Sequence, residues 1–154
     1  MLYFVISRPV SITVRSVGLM HEISVAESIL ESAVRLIPES ARLETVCVSV
    51  GELSTIEPDL LRFAWEALTG NTPHDRANLE IQWCEARQYC PRCDRAYDRP
   101  SSSWMPACPR CSQPLEIRGG YELDLLKITY LEGGPSSKED RTASTGPGVL
   151  TTET

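Results

Sequence analysis

Four cysteines are the residues in this sequence best suited to chemistry. They lie in two identical four-residue sequence motifs, called words below. Cys90 and Cys93 frame the first Cys-Pro-Arg-Cys word, Cys108 and Cys111 frame the second, and the fourteen residues 94–107 separate them. A Cys-x-x-Cys turn presents two sulfurs to one ion, and two such turns complete the tetrahedron of thiolates that zinc accepts. The pattern therefore predicts a four-cysteine zinc site, and its closed ligand set predicts that this zinc is structural.

Two disulfides or a redox pair are the other interpretations of these cysteines. A thioredoxin-like redox site places one Cys-x-x-Cys where a strand ends and a helix begins, whereas both words here lie in a segment rich in Pro and Arg. Metal binding is therefore favoured, and free thiols imply a reducing compartment, which we expect to be the cytoplasm. The two remaining cysteines, Cys47 and Cys84, fall on predicted strands and are expected to be half-buried small hydrophobic residues.

A second candidate for chemistry is the triplet Met20, His21 and Glu22, which stands directly before a predicted helix. Imidazole is a common metal ligand, although a single histidine at a helix start is more often simply exposed to solvent. The sequence shows no nucleophile paired with a base, no phosphate-binding loop and no open set of metal ligands. We therefore expect no catalytic residues and a protein that is not an enzyme.

The spacing of apolar residues predicts two helices that carry this chemistry. Apolar residues recur at three- and four-residue steps over 23–37, Ser24 and Glu27 fit a capping box, and Pro38 ends the pattern. The segment 58–70 predicts a second helix, because a proline at its first position and a glycine at its end are typical of helix boundaries.

Three alternating segments predict strands, at 45–51, 79–84 and 121–130. The apolar phase of the last segment changes near Leu125, which indicates either a β-bulge or an edge position. Trp65 and Trp83 are expected in the core. The predicted fold class is α+β, with a small antiparallel sheet of about three strands, two helices on one side, and an inserted zinc ribbon.

Composition sets the limits of this architecture. The chain has 154 residues, 42% hydrophobic and 23% charged, which suits one compact domain with a small insert. The formal net charge of -6 disfavours a protein that coats nucleic acid or an anionic membrane. No uninterrupted apolar run approaches the roughly 20 residues that span a bilayer, so we expect no membrane association.

The predicted organisation has four parts. Residues 1–19 form an N-terminal extension, and residues 20–87 together with 120–131 form the α+β domain. Residues 88–119 form the inserted four-cysteine ribbon. Residues 132–154 are rich in Gly, Pro, Ser and Thr and are expected to be a disordered tail, because they bury too little apolar surface to offset their ordering entropy.

Several separated words resemble the HypA/HybF family of hydrogenase-maturation nickel metallochaperones. In chain order they are Met20-His21-Glu22-Ile23-Ser24, Val50-Gly51-Glu52-Leu53-Ser54, Pro58-Asp59-Leu60, Phe63-Ala64-Trp65-Glu66, the two cysteine words and Gly120-Tyr121-Glu122-Leu123. The resemblance implies delivery of Ni(II) during maturation of nickel-iron hydrogenase, beside a structural Zn(II). It also implies two partners, a maturation GTPase and the hydrogenase large subunit, and it leaves open a homodimer formed by exchange of ribbons.

The nickel ligands that the resemblance implies are the α-amine of Met20, the imidazole of His21 and the Glu22 region. Two departures from the family pattern affect this site. Met20 is not the first residue, so we expect that the upstream nineteen residues reflect a mistaken start and that the native chain begins at Met20. The ribbon contains no histidine, and the other histidine, His74, is expected to be an exposed loop residue.

A zinc ribbon that binds nucleic acid or scaffolds a complex is the alternative interpretation. The ribbon region is rich in arginine and carries Tyr89, Tyr97 and Trp104, which could stack on bases. The same surface could equally be solvated or dock an acidic partner. Because the whole chain is acidic, we expect nucleic-acid binding to be the less favoured of these roles.

Overall fold

The computed structural model describes residues 2–12, 21–99 and 103–132. Its elements, in chain order, are β1 (Leu2–Ser11), α1 (His21–Val34), β2 (Arg42–Gly51), α2 (Pro58–Thr69), β3 (Asn78–Cys84), β4 (Arg87–Cys90), β5 (Arg95–Tyr97), β6 (Glu116–Arg118) and β7 (Leu123–Leu131). The fold class is α+β, as predicted. Within the described residues, no helix is long and apolar enough to cross a membrane.

The main sheet has four strands in the order β1-β7-β2-β3, so the prediction of about three antiparallel strands is wrong in two respects. The strand β2 pairs in parallel with β3, from Thr45 opposite Asn78 to Gly51 opposite Cys84. Helix α2 connects these two strands. Because it carries the chain from the end of β2 back to the edge of the sheet where β2 begins, β3 runs in the same direction as β2 and the two strands pair in parallel. The fourth strand, β1, comes from the N-terminal segment and pairs antiparallel with β7.

The two helices pack against each other and against one face of the main sheet, where they form a single core. From the sheet, Val46, Val48 and Val50 point into this core at 0% exposure, as their alternation predicts. From α2, Trp65 is 1% exposed, and its indole Nε1 donates a hydrogen bond of 2.7 Å to the carbonyl of Ala77. The core therefore lies between the two helices and the face of the main sheet to which β2 contributes.

Helix α1 begins earlier than its capping signal predicts. His21 is its first residue, so Ser24 lies within the helix and cannot be its N-cap. The carbonyl of Ser24 instead accepts a bond of 2.8 Å from the hydroxyl of Ser28, one turn later. The capping-box assignment is therefore wrong, because the same residue types also fit an interior position one turn further along the chain.

The phase change in β7 is a β-bulge. Cys47 of β2 lies opposite Lys127, but the next residue, Val48, lies opposite Leu125, so Leu126 is the extra residue. The alternative, an edge position, is wrong because β7 lies between β1 and β2.

The prediction that Trp83 belongs to the core is also wrong, since it is 45% exposed. Burial falls along β3, from Leu79 at 5% exposure to half-buried Ile81 and then Trp83. Since β3 is an edge strand, it has a neighbouring strand on only one side.

The ribbon is a second, three-stranded antiparallel sheet in the order β5-β4-β6. It leaves the main sheet after β3 and returns before β7. Of the predicted disordered tail 132–154, all but Glu132 lies outside the described residues, as do residues 13–20 of the N-terminal segment.

Candidate metal centre

The four predicted cysteines converge in the ribbon. The Sγ atoms of Cys90, Cys93, Cys108 and Cys111 all lie within 4.8 Å of one another. The separation is 3.5 Å between Cys90 and Cys111 and 3.9 Å between Cys93 and Cys108. A zinc–sulfur bond of about 2.3 Å in a tetrahedron places neighbouring sulfurs about 3.8 Å apart. The donor set and its spacing therefore fit one structural zinc ion.

Each Cys-x-x-Cys segment forms a tight turn, called a knuckle below. The two knuckles share a backbone feature that directs their cysteines toward one point. The residue after each Cys-x-x-Cys word has a left-handed conformation, with φ of 49° at Asp94 and 58° at Ser112. Asp and Ser are polar turn-forming residues, and Asp in particular tolerates positive φ. In the second knuckle, the amide of Ser112 donates to the carbonyl of Cys108 at 2.8 Å, and the amide of Cys108 donates to the carbonyl of Gln113 at 2.8 Å. The second knuckle is thus shaped by backbone hydrogen bonds.

The surroundings of three of the ribbon thiols shift their pKa values in different directions. The hydrogen bond with Cys111 and then burial raise the pKa of Cys93 to about 12, and burial also raises the pKa of Cys90. Burial opposes ionisation of Cys108, but bonds from the Tyr97 hydroxyl and from backbone amides of the knuckle outweigh it and lower the pKa of Cys108 to about 6. Because zinc requires thiolates, its binding must release protons from Cys90 and Cys93, whose pKa values are raised.

A buried glutamine connects the segments that carry the two knuckles. Gln88 of β4 is 3% exposed. Its side-chain Nε2 donates a hydrogen bond to the carbonyl of Met105, and its Oε1 accepts one from the amide of Met105, each at 2.8 Å. This reciprocal pair ties the strand that ends in the first knuckle to the segment that leads into the second. Sequence spacing contained no signal for it.

The aromatic residues of the ribbon are engaged by its own arginines. The guanidinium of Arg118 lies 3.1 Å from the ring centroid of Tyr89, and that of Arg99 lies 4.4 Å from the ring centroid of Trp104. Such cation–π contacts occupy ring faces that a stacked nucleobase would need. The geometry therefore gives no support to the nucleic-acid alternative.

The three residues of the predicted nickel site do not all fall within the described chain. Met20 lies outside the described residues, His21 is the exposed first residue of α1, and Glu22 is half-buried in the first helical turn. Within the described part of the chain, the metal-ligand side chains that converge are the four cysteines of the ribbon. A nickel site at His21 would therefore depend on backbone nitrogens and the α-amine more than on other side chains.

His74 is not the exposed loop residue that was expected. It is half-buried, and its Nδ1 accepts a hydrogen bond of 3.2 Å from the backbone amide of Leu43. Burial lowers its pKa, which favours the neutral imidazole that this bond requires. Its role is structural, and neither its loop position nor its neighbours in the sequence indicated this contact.

The cysteines outside the ribbon agree with their prediction. Cys47 and Cys84 are both half-buried free thiols, and burial is the main cause that raises the pKa of each. Raised pKa values disfavour the reactive thiolate form at neutral pH.

Comparison with known proteins identifies the group to which this architecture belongs. Residues 20–130 match the family model HypA, described as hydrogenase/urease nickel incorporation, metallochaperone. The hydrogenase maturation factor HypA of Chlorobaculum parvum is 35% identical over 117 residues, which are 71% of this chain and 98% of the relative. The HypA of Acidithiobacillus ferrooxidans is 30% identical over 116 residues, 71% of this chain and 97% of the relative.

A solved structure agrees with the sequence comparison. The solution structure of a HypA protein superposes with a TM-score of 0.51 at 27% identity and covers 74% of this chain and 98% of that chain. The family match over residues 20–130 includes the two helices, strands β2, β3 and most of β7, and the four-cysteine ribbon, whose sulfurs fit zinc. With a family match over residues 20–130 and these relatives, the chain belongs to the HypA family of nickel metallochaperones for hydrogenase maturation.

Proposed function

We propose that this chain binds Ni(II) at its Met20-His21-Glu22 segment and delivers the ion to a hydrogenase precursor. The observation that carries the proposal is the family match, which begins at residue 20, the first residue of this segment. His21 is exposed at the first position of α1, so its imidazole is accessible to an ion from solvent. Nickel is the cargo in this proposal, and zinc in the ribbon is the resident structural ion.

The proposed ligands are nitrogen donors, which nickel accepts in a square-planar arrangement. They are the α-amine of Met20, the imidazole of His21 and backbone amide nitrogens up to the Glu22 region. These groups must lose protons to bind, so we expect nickel affinity to fall in acid. The role is transport and not catalysis, because a chaperone must hold its ion and then release it.

The proposed organisation assigns one ion to each unit. Residues 20–87 and 120–131 form the nickel-binding unit, and residues 88–119 form the zinc ribbon. The proposed partners are the GTPase of the maturation pathway and the hydrogenase large subunit, in the cytoplasm. A homodimer by exchange of ribbons remains part of the proposal, to be tested by the mass of the zinc-loaded chain in solution.

The test is a nickel titration of two versions of the chain, one that begins at Met1 and one that begins at Met20. We expect tight binding by the Met20 version, because only there does Met20 carry a free amine. In that version, His21→Ala should abolish tight nickel binding and leave the zinc content unchanged. The matched control is Glu27→Gln, an exposed position on the same helix, which should bind nickel like the parent.

Two outcomes would overturn the site. Equal tight binding by both versions would show that the amine is not a ligand, and tight binding by His21→Ala would remove the imidazole from the set. Retention on a DNA column at physiological salt would instead favour the nucleic-acid role.

A further inference from the structure

The segment that follows β2 contacts both of the chain connections between the ribbon and the main sheet. The amide of Glu52 donates to the carbonyl of Cys84 at 2.9 Å, where the chain leaves the main sheet. The next amide, that of Leu53, donates to the carbonyl of Gly120, where the chain returns from the ribbon. Two neighbouring residues therefore hold the outgoing and the returning connection side by side.

The side chain of Glu52 adds a third and a fourth contact. Its Oε2 accepts a hydrogen bond of 3.1 Å from the amide of Ala86, in the outgoing connection. Its Oε1 accepts a hydrogen bond from the guanidinium of Arg99, which belongs to the ribbon. The bond from Arg99, followed by that from Ala86, holds the pKa of Glu52 below its usual range.

This ion pair differs from the local pairs on the helices. The side chains of Arg99 and Glu52 are 14% and 24% exposed, and the two residues are 47 positions apart. The pair between Arg62 and Asp59 lies within α2 and is 46% and 88% exposed. Exposed pairs contribute little to stability, whereas a partly buried charge-assisted bond contributes more and restricts geometry.

The position of Arg99 depends on the folded ribbon. Its guanidinium packs over the ring of Trp104, and it lies two residues after Tyr97, whose hydroxyl is 3.3 Å from Cys108 Sγ. A continuous set of contacts thus runs from the zinc-binding sulfurs through β5 to Glu52. Since the four thiolates fold the ribbon around the ion, loss of the ion should release Arg99.

We propose that Glu52 is a positioning residue that, with Arg99 and Trp104, latches the zinc ribbon in one orientation on the α+β unit. The latch closes only while the ribbon is folded around its metal. It also gives a physical role to the Val50–Ser54 word, whose glutamate was not assigned one from its sequence. The proposal does not depend on where nickel binds.

The test compares zinc-loaded full-length chains by NMR. Residual dipolar couplings should describe the α+β unit and the ribbon with one alignment tensor in the parent chain. In Glu52→Gln and in Arg99→Gln, the ribbon couplings should shrink. In Glu52→Gln the Ala86 amide also loses its carboxylate acceptor, so its exchange should accelerate about tenfold, the effect of losing one charge-assisted bond. The matched control is Arg110→Gln, which removes an exposed ribbon arginine outside this set of contacts and should leave both measurements unchanged.

The remaining arms decide whether the contact is direct and whether it needs zinc. The double variant Glu52→Gln with Arg99→Gln should have a ribbon no more mobile than that of Glu52→Gln alone, because the single variant already lacks the charged bond to Arg99. Chelation of zinc from the parent should also produce unequal alignment tensors. A single tensor in zinc-loaded Arg99→Gln, with one zinc retained, would overturn the latch even if Glu52→Gln fails to fold. A single tensor after chelation would overturn its dependence on zinc.

Discussion

The Nδ1 atom of His74 accepts a hydrogen bond from the backbone amide of Leu43 at a distance of 3.2 Å. Leu43 is 3% exposed and precedes the stretch of β2 that pairs with β3, which starts at Thr45. The histidine thus supplies the acceptor for a buried amide next to the end of the β2–β3 ladder. A buried amide without an acceptor is costly, so the imidazole stabilises the start of β2.

We expect His74→Ala to lower the free energy of unfolding by about 1–3 kcal/mol, the usual penalty for a buried donor left without a partner. Burial lowers the pKa of His74 from 6.5, so between the folded-state pKa and 6.5 the unfolded chain binds more protons. This contribution to stability is therefore complete above 6.5 and is lost as pH falls through the folded-state pKa. Urea unfolding at several pH values measures it, with exposed His21→Ala as the control. The same pH dependence in His74→Ala and the parent would contradict this role.

Loss of one ribbon cysteine should remove zinc without unfolding the main sheet. We expect Cys93→Ser to reduce zinc from about one ion per chain to a small fraction, because three thiolates bind the ion far more weakly than four. Metal analysis gives the stoichiometry, and amide spectra should show ordered helices beside a disordered ribbon. Cys47→Ser, at a half-buried thiol outside the cluster, is the control and should retain zinc. Full zinc content in Cys93→Ser would refute the four-cysteine assignment.

Trp65 in α2 and Trp83 in β3 should differ sharply in their effect on stability. Trp65→Phe removes the bond to the Ala77 carbonyl and leaves a gap at a site that is 1% exposed, so we expect a loss of about 2–4 kcal/mol. Trp83→Phe, at 45% exposure, should change the free energy of unfolding by less than about 1 kcal/mol. Chemical denaturation of both variants measures the contrast. Equal losses would show that Trp83 is buried in solution.

A glycine in the returning connection should tolerate no side chain. Gly120 has φ of 83°, and an added Cβ would come within 2.6 Å of the Cβ of Ala86. Gly120→Ala therefore combines backbone strain with a steric overlap, and we expect a loss of about 1–3 kcal/mol. Gly70→Ala is the control, because Gly70 has a φ of -54° and its added Cβ would lie 3.2 Å from the nearest atom. Thermal unfolding of the two variants distinguishes the positions, and an unchanged midpoint for Gly120→Ala would show that the connection relaxes.

The features that the sequence predicted correctly are those encoded by short spacing. The convergence of the four cysteines, helix α2 and the buried alternation of Val46, Val48 and Val50 were predicted from local patterns and are confirmed. Of the two alternatives for β7, a bulge or an edge position, the bulge is confirmed. Each depends on residues that are neighbours in the chain, or on a ligand geometry that the chemistry of zinc dictates. The family resemblance, carried by ordered short words, is confirmed for the same reason.

The sequence by itself thus determined the four-cysteine cluster whose geometry fits zinc, the main helices and the family of this protein. Only the tertiary structure decided the parallel pairing of β2 with β3, the exposure of Trp83, the structural role of His74 and the bond between Glu52 and Arg99. These properties depend on which distant segments meet, and local periodicity does not contain that information. A hydrogen bond across 31 or 47 positions exists because packing of the core brings its partners together.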